Sequence, residues 1–165
     1  MDFDLTNRVA VVTGGNRGIG RGICNGFAEA GAQVVIAARD EAKSAEAVAQ
    51  IEAAGGKAVA IRTDVAQRDS LQHPHDDVIE RFGRVDVLVN NAGVSVDTAA
   101  DAPDEAWEAA WTKALAVMLT AQARLIRQSL PHLLESPAGR VVNISSTEGI
   151  GATAGTGPYT VAKHG

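Results

Sequence analysis

The chain has 165 residues, 45% of them hydrophobic, enough for one ordinary domain that buries roughly 70% of the surface its unfolded form exposes. With 21% charged residues and no apolar run near the roughly 20 residues of a bilayer span, the composition excludes a disordered tail and predicts no membrane partner. Fifteen basic against twenty acidic residues leave a net charge of −5, without the basic footprint of a nucleic-acid binder.

Cys24 is the one cysteine and cannot form an internal disulfide. Met1-Asp2-Phe3-Asp4 has no basic stretch followed by an apolar one to direct export, so the expected location is cytoplasmic. The first predicted strand, residues 8–13, is a β-favouring run ended by Gly14-Gly15, and similar runs follow at 33–38, 57–63, 84–90 and 140–145. Their apolar stretches are nearly continuous, as in strands covered by helices on both faces of a parallel sheet. Between them, 18–31, 41–54, 69–82 and 103–134 carry helix formers with apolar residues at helical spacing, Leu115, Leu119, Leu125 and Ile126 in the last of them. Pro74 has no N–H to donate and clashes with the preceding turn, so the third helix is expected to start near it. His73 and His75 flank that proline; two apart on a helix they face different ways, and with no third ligand nearby both are expected to be exposed residues, not a metal site. Strand and helix alternate without a repeat or linker. That order predicts one α/β domain over 1–165, a doubly wound parallel sheet with right-handed crossovers and ligands at the carboxyl ends of the strands.

Thr13-Gly14-Gly15-Asn16-Arg17-Gly18-Ile19-Gly20 follows a strand and opens a helix, the context that a glycine-rich dinucleotide loop requires. Gly14 permits the sharp turn, Gly18 lets backbone approach a pyrophosphate, and Gly20 allows close helix–strand packing while helix N–H groups face the anion. At the end of the second strand two readings compete. Asp40 accepting from a ribose 2′-hydroxyl favours NAD(H), whereas Arg39 with Arg17 pairing a 2′-phosphate favours NADP(H). NADP(H) is preferred over NAD(H): Ala38 takes the place where an acid would repel the phosphate, and Asp40 reads better as the N-cap of the next helix. Nearer the C-terminus, Tyr159 and Lys163 are four apart and share a helix face, where an ammonium favours the phenolate form used in acid–base work.

Four separated blocks give the chain a resemblance to the short-chain dehydrogenase/reductase family: the glycine loop, Asp64-Val65, Asn90-Asn91-Ala92-Gly93, and Ser146 with Tyr159-Thr160-Val161-Ala162-Lys163. The resemblance implies a Rossmann-type fold and an NADP(H)-dependent enzyme that moves hydride between nicotinamide and a small-molecule carbonyl or secondary alcohol. Its flavour is similar to 3-oxoacyl-carrier-protein reductases, which makes a 3-oxoacyl thioester one implied substrate. It places Gly14, Asn16, Arg17, Gly18, Ile19, Gly20 and Arg39 on the cofactor, Asp64 and Val65 beside the adenine, and Asn91, Ala92 and Gly93 beside the ribose. Ser146, preferred to Ser145 for its thirteen-residue spacing to Tyr159, is implied to hold the substrate oxygen, Tyr159 to exchange its proton and Lys163 to grip the nicotinamide ribose. A homo-oligomer, dimer or tetramer, paired through the helix of Trp107, Trp111, Leu115 and Leu119, is implied as well.

The sequence departs from the family pattern twice. The Asn that usually serves the proton relay is replaced by Ala114, with Thr112, Lys113 and Gln122 the polar groups at hand. The resemblance also implies further strands and a substrate lid after Gly165, so the last strands are missing and the domain is expected to be incomplete at its C-terminus. The rival reading is a non-catalytic nucleotide-binding or regulatory protein.

Overall fold

In a computed structural model that describes residues 4–96 and 98–165, the β runs become β1 (Val9–Thr13), β2 (Gln33–Ala38), β3 (Lys57–Arg62), β4 (Val87–Asn90) and β5 (Arg140–Asn143). Among the described residues these lie in one sheet, all parallel, in the order β3-β2-β1-β4-β5. The expected doubly wound α/β architecture is what forms. Residues 1–3 of the N-terminal reading lie outside the described residues, as does the side chain of His73.

In β1, β2 and β4 alternation is hidden by burial on both sides, whereas β3 alternates and, against the expectation of cover on both faces, the edge strand β5 is exposed throughout. Ala10, Val12, Val34 and Ile36 join one core with Cys24, Ala28, Ala47 and Ile51, whereas Val9 and Val35 point into a second with Val78 and Leu133. The first core is covered by α1 (Gly18–Glu29) and α2 (Glu41–Ala53), the second by α3 (Asp69–Phe82) and α5 (Ala121–Glu135). A third cluster, around Met118 and Ala162, joins α4 (Asp104–Leu115) to α6 (Gly157–His164). Asp40 caps α2 as expected, its carboxylate accepting from Lys43 N–H at 3.0 Å.

Three expectations are corrected. The third helix starts at Asp69, five residues before Pro74, which sits inside it. Leu71 is buried in the third cluster and draws the segment into helix, with Ser70 and Leu71 N–H bonded to Gln67 and Arg68 carbonyls in a tight first turn. His75 is largely buried, its ring centroid 5.5 Å from that of His132 where α3 meets α5, rather than exposed. The helix read over 103–134 is interrupted by a five-residue π turn, Ala116–Thr120, and its inward stripe is Ala114, Val117, Met118 and Ala121, leaving Leu115 and Leu119 half-buried. Of these, Ala114 lies in α4 and packs in the cluster shared with Ala162 of α6.

β4 begins three residues later than the sequence run because Arg84 and Asp86 serve a different purpose. Asp86, fully buried, accepts from Val9 N–H at 2.9 Å, from Arg84 Nε at 2.8 Å and Nη2 at 2.6 Å, and from Ser136 Oγ at 2.5 Å. Its own N–H donates to Val9 O and its carbonyl accepts from Arg140 N–H, so one residue ties the amino ends of β1, β4 and β5. Burial pushes its carboxyl up, but the Arg84 guanidinium, the Ser136 hydroxyl and Val9 N–H outweigh this and hold it below the usual range. Asp86→Ala strands these donors and should cost about 3 kcal/mol or more in urea unfolding at neutral pH. Because the folded carboxyl titrates below 3.8, its contribution is whole above that pH and is lost as pH falls through the folded value. The gap between parent and variant should therefore narrow on acidification.

Candidate functional site: two adjoining clefts at the carboxyl end of the sheet

The chain leaves β1 and β4 toward opposite sides of the sheet, which opens a crevice between them. Thr13, 1% exposed, holds its floor. Its Oγ1 accepts from Asn91 N–H and Ala92 N–H, both at 3.0 Å, and donates to Val89 O at 3.3 Å, which uses the whole capacity of a hydroxyl. Asn91 Nδ2 donates in return to Thr13 O at 2.9 Å and Gly14 O at 3.3 Å. Gly14 has φ +65° and passes so close to this pair that a Cβ would lie 3.2 Å from Ala92 Cα. At Gly20 a Cβ would run into Gly14 O and the Asn91 side chain, so close helix–strand approach is the reason for that glycine. Cys24 packs beneath the loop, where a Cβ on Gly15 would lie 2.7 Å from its Sγ, and burial pushes its thiol up to about 12.

Above this floor lies a cleft of about 610 Å³, and every residue named above for the nucleotide except Tyr159 and Lys163 lines it. Asn16 Nδ2 ties the loop to α2 through Asp40 O at 3.2 Å and Ser44 Oγ at 3.1 Å. Arg17 is the N-cap residue of α1 and makes no side-chain cap bond, leaving the first-turn N–H groups without a side-chain partner there. Arg17 and Arg39 are exposed, and among the described residues neither has an ion-pair partner. Asp64 is occupied locally: its Oδ1 accepts from Ala66 N–H at 3.1 Å and its N–H donates to Ser70 Oγ at 3.0 Å. The residues present fit a dinucleotide: a glycine turn with φ +53° and open space at Gly18, a helix start without a side-chain cap, and the guanidinium groups of Arg17 and Arg39, neither in an ion pair among the described residues.

A second cleft of about 360 Å³ adjoins the first and shares Ile19, Asn91 and Gly93 with it. Tyr159 and Lys163 line it from α6, with Lys163 Nζ 5.8 Å from the Tyr159 ring centroid and donating to Ile144 O at 2.7 Å. The serines divide differently from the spacing argument. Ser146 Oγ accepts from Glu148 N–H at 3.2 Å as the cap of a 3-10 turn, Thr147–Gly149, while Ser145 lines the cleft and donates to Lys163 O at 3.3 Å. Ala114 is buried in the third cluster, Thr112 and Lys113 are exposed, and none of these nor Gln122 lines either cleft. The sequence does not single out Thr13 or Glu148, marks Cys24 only as an unpaired cysteine, and passes over Ser145 in favour of Ser146. Of Thr13 and Glu148, only Thr13 carries a signal, as the first residue of the glycine block. Among the described residues no group of three or more His, Cys, Asp or Glu could hold a metal ion, and no helix is long and apolar enough to cross a membrane.

A family model for short chain dehydrogenases matches residues 8–165. An uncharacterized oxidoreductase of Thermotoga maritima is 37% identical over 162 residues, covering 98% of this chain and 62% of that protein. A 3-oxoacyl-(acyl-carrier-protein) reductase of Synechocystis sp. is 35% identical over 163 residues, covering 98% of this chain and 64% of its own length. The chain thus spans less than two thirds of these curated relatives. The crystal structure of a metagenomic short-chain oxidoreductase in complex with NADP superposes with a TM-score of 0.89 at 37% identity, over 96% of this chain and 71% of that one.

The joint at Thr13 is open to test. Thr13→Val keeps the shape but leaves the part-buried Ala92 N–H without an acceptor and Asn91 N–H with only Val89 O at 3.2 Å, an expected loss of about 1 to 3 kcal/mol in chemical unfolding. Thr13→Ser should recover most of it.

Proposed function

Since this chain belongs to the short chain dehydrogenase family, we propose that residues 8–165 form one nucleotide-binding domain that takes NADP(H) in preference to NAD(H) and serves hydride transfer to a carbonyl or from a secondary alcohol. The observation that carries the reading is the junction of the two clefts at Ile19, Asn91 and Gly93, with an anion cradle on one side and Tyr159 and Lys163 on the other. Gly14, Asn16, Arg17, Gly18, Ile19 and Gly20 hold the pyrophosphate side, Arg17 and Arg39 pair the 2′-phosphate, Asp64 and Val65 border the adenine, and Asn91, Ala92 and Gly93 the ribose. The nicotinamide supplies or receives the hydride when bound. Tyr159 Oη gives its proton to the carbonyl oxygen in reduction and takes it back in oxidation, and Lys163 Nζ sits over the phenol and reaches toward the ribose. Ser146 Oγ holds the substrate oxygen. The 3-oxoacyl thioesters are the first substrate class to test, because the Synechocystis relative bears that name.

Self-association through α4 and α5, where half-buried Trp107 and Trp111 stack at 4.9 Å, belongs to the same reading. A second reading, a nucleotide-binding protein without turnover, is favoured by one observation, the apolar Ala114 at the relay position.

Titration of the chain with NADPH and then NADH, followed by quenching of Trp107 and Trp111, tests the cofactor assignment. Arg39→Ala should weaken NADPH about tenfold or more and leave NADH unchanged, and Arg17→Ala should weaken NADPH more than NADH; equal affinity for both cofactors in the parent chain overturns the preference. Tyr159→Phe should keep binding and lower turnover at least about 100-fold, whereas a binding protein loses nothing. The serines are separated in the same assay: Ser146→Ala should cost more kcat than Ser145→Ala, and the reverse order transfers the role to Ser145.

A further inference from the structure

Glu148 stands between the serines and the helix that carries Tyr159 and Lys163. Its backbone N–H donates to Ser146 Oγ at 3.2 Å. Its carboxylate turns the other way, accepting from Thr153 N–H at 3.0 Å, Thr153 Oγ1 at 2.5 Å and Thr160 Oγ1 at 2.6 Å. Thr156 Oγ1, at the N-cap position of α6, lies 3.1 Å from the same carboxylate, 2.9 Å from Thr160 Oγ1 and 2.8 Å from Thr153 O, and its single proton is shared among these three acceptors. One side chain therefore gathers the loop, the cap and the first turn of α6, next to Tyr159.

Apart from Thr98 N–H donating to Gly155 O at 2.9 Å in a parallel bridge to Thr156, the segment has little apolar packing. Residues 150–155 are Gly, Ala and Thr apart from Ile150, which is 91% exposed and contributes no apolar anchor. Contact with α6 is nonetheless tight, since a Cβ on Gly149 would lie 2.7 Å from Lys163 O. The Thr153 and Thr160 hydroxyls and the Thr153 N–H draw the Glu148 carboxyl down to about 2, so the anion is present at any working pH, and it lies at the positive end of α6.

We propose that Glu148 is a positioning residue: bound to Ser146 through its backbone and to Thr153, Thr156 and Thr160 through its carboxylate, it holds Ser146 and Tyr159 in register across the second cleft. Its bearing on turnover rests on the function proposed above, but its effect on Tyr159 does not. Removing the clamp frees the phenol to leave its near-attack position, and a displacement of about 1 Å costs on the order of 100-fold in rate.

Tyr159 is the single tyrosine of the chain, so ring-labelled tyrosine gives one unambiguous NMR reporter. Glu148→Ala should shift or broaden its ring signals and lower amide-exchange protection of α6 about tenfold or more, with α1 unaffected. The same variant should lose about 100-fold in kcat with NADPH affinity unchanged. Glu148→Gln, which keeps an acceptor oxygen, should restore the ring signals and most of kcat. If Glu148→Ala does not fold, Thr160→Val removes one strong donor and should give the same ring signature. Ring signals and α6 exchange that match the parent in Glu148→Ala, or a kcat loss that Glu148→Gln fails to recover, overturn the proposal. Ring and exchange changes in a parent chain that binds no NADPH support it while sinking the cofactor reading alone.

Discussion

The Thr13 hydroxyl is a three-way joint at the point where the sheet divides. It accepts the N–H groups of Asn91 and Ala92 and gives its proton to Val89 O, so β1 and β4 stay joined beyond the Val12–Val89 pair that ends their ladder, although their helices depart on opposite sides. The glycine loop depends on that joint. Asn91, held in place by it, turns its side chain onto Thr13 and Gly14 carbonyls and fills the space that a Cβ at Gly20 would need. Loop geometry is thus set by contact with β4, seventy-odd residues away in sequence, and not by the local propensity of the glycines.

The same two strands are pinned again at their other end, where Asp86 takes Val9 N–H, Arg84 and Ser136. Both pins are polar groups tolerated through their hydrogen bonds, and between them the strands carry Ala, Val and Leu packed on both faces, together with buried Asn90, whose amide donates to Asn143 Oδ1 at 2.8 Å. With the central pair fixed at both ends, the carboxyl rim can be built from glycines and exposed polar residues that contribute little to stability. Charge follows the same division. Arg8 and Arg84 at the amino end share the Asp86 carboxylate, whereas Arg17 and Arg39 at the rim are without ion-pair partners among the described residues. A chain of net charge −5 thereby keeps two local cations where an anion would enter.

The second cleft is organised by a different principle. Its residues come from a loop and a short helix with few apolar anchors, and their order rests on a web of hydroxyls around Glu148. Such a web leaves no periodic mark: Thr153, Thr156 and Thr160 are common residues, and their convergence on one carboxylate appears only when the loop closes onto α6. The serine pair shows the same limit. Counting thirteen residues back from Tyr159 selects Ser146, but the turn that follows gives Ser146 a capping role and turns Ser145 toward the cleft.

By itself the sequence determined the strand and helix order, the parallel sheet, the position of the glycine turn, the capping role of Asp40 and, with Asp64, Val65 and Asn91 to Gly93 taken from the family resemblance, most of the residues that line the larger cleft. The first four follow from local chemistry: continuous β-branched runs, glycines where φ must be positive, an Asp before a helix. Tertiary structure decided the start of α3 ahead of Pro74, the burial of His75 against His132, the π turn at Ala116–Thr120 and the choice of Ala114, Val117 and Met118 over Leu115 and Leu119 for the core. Each depends on how closely two distant elements approach, because burial and steric fit between helices outweigh the roughly 1 kcal/mol preferences that a single residue expresses along the chain.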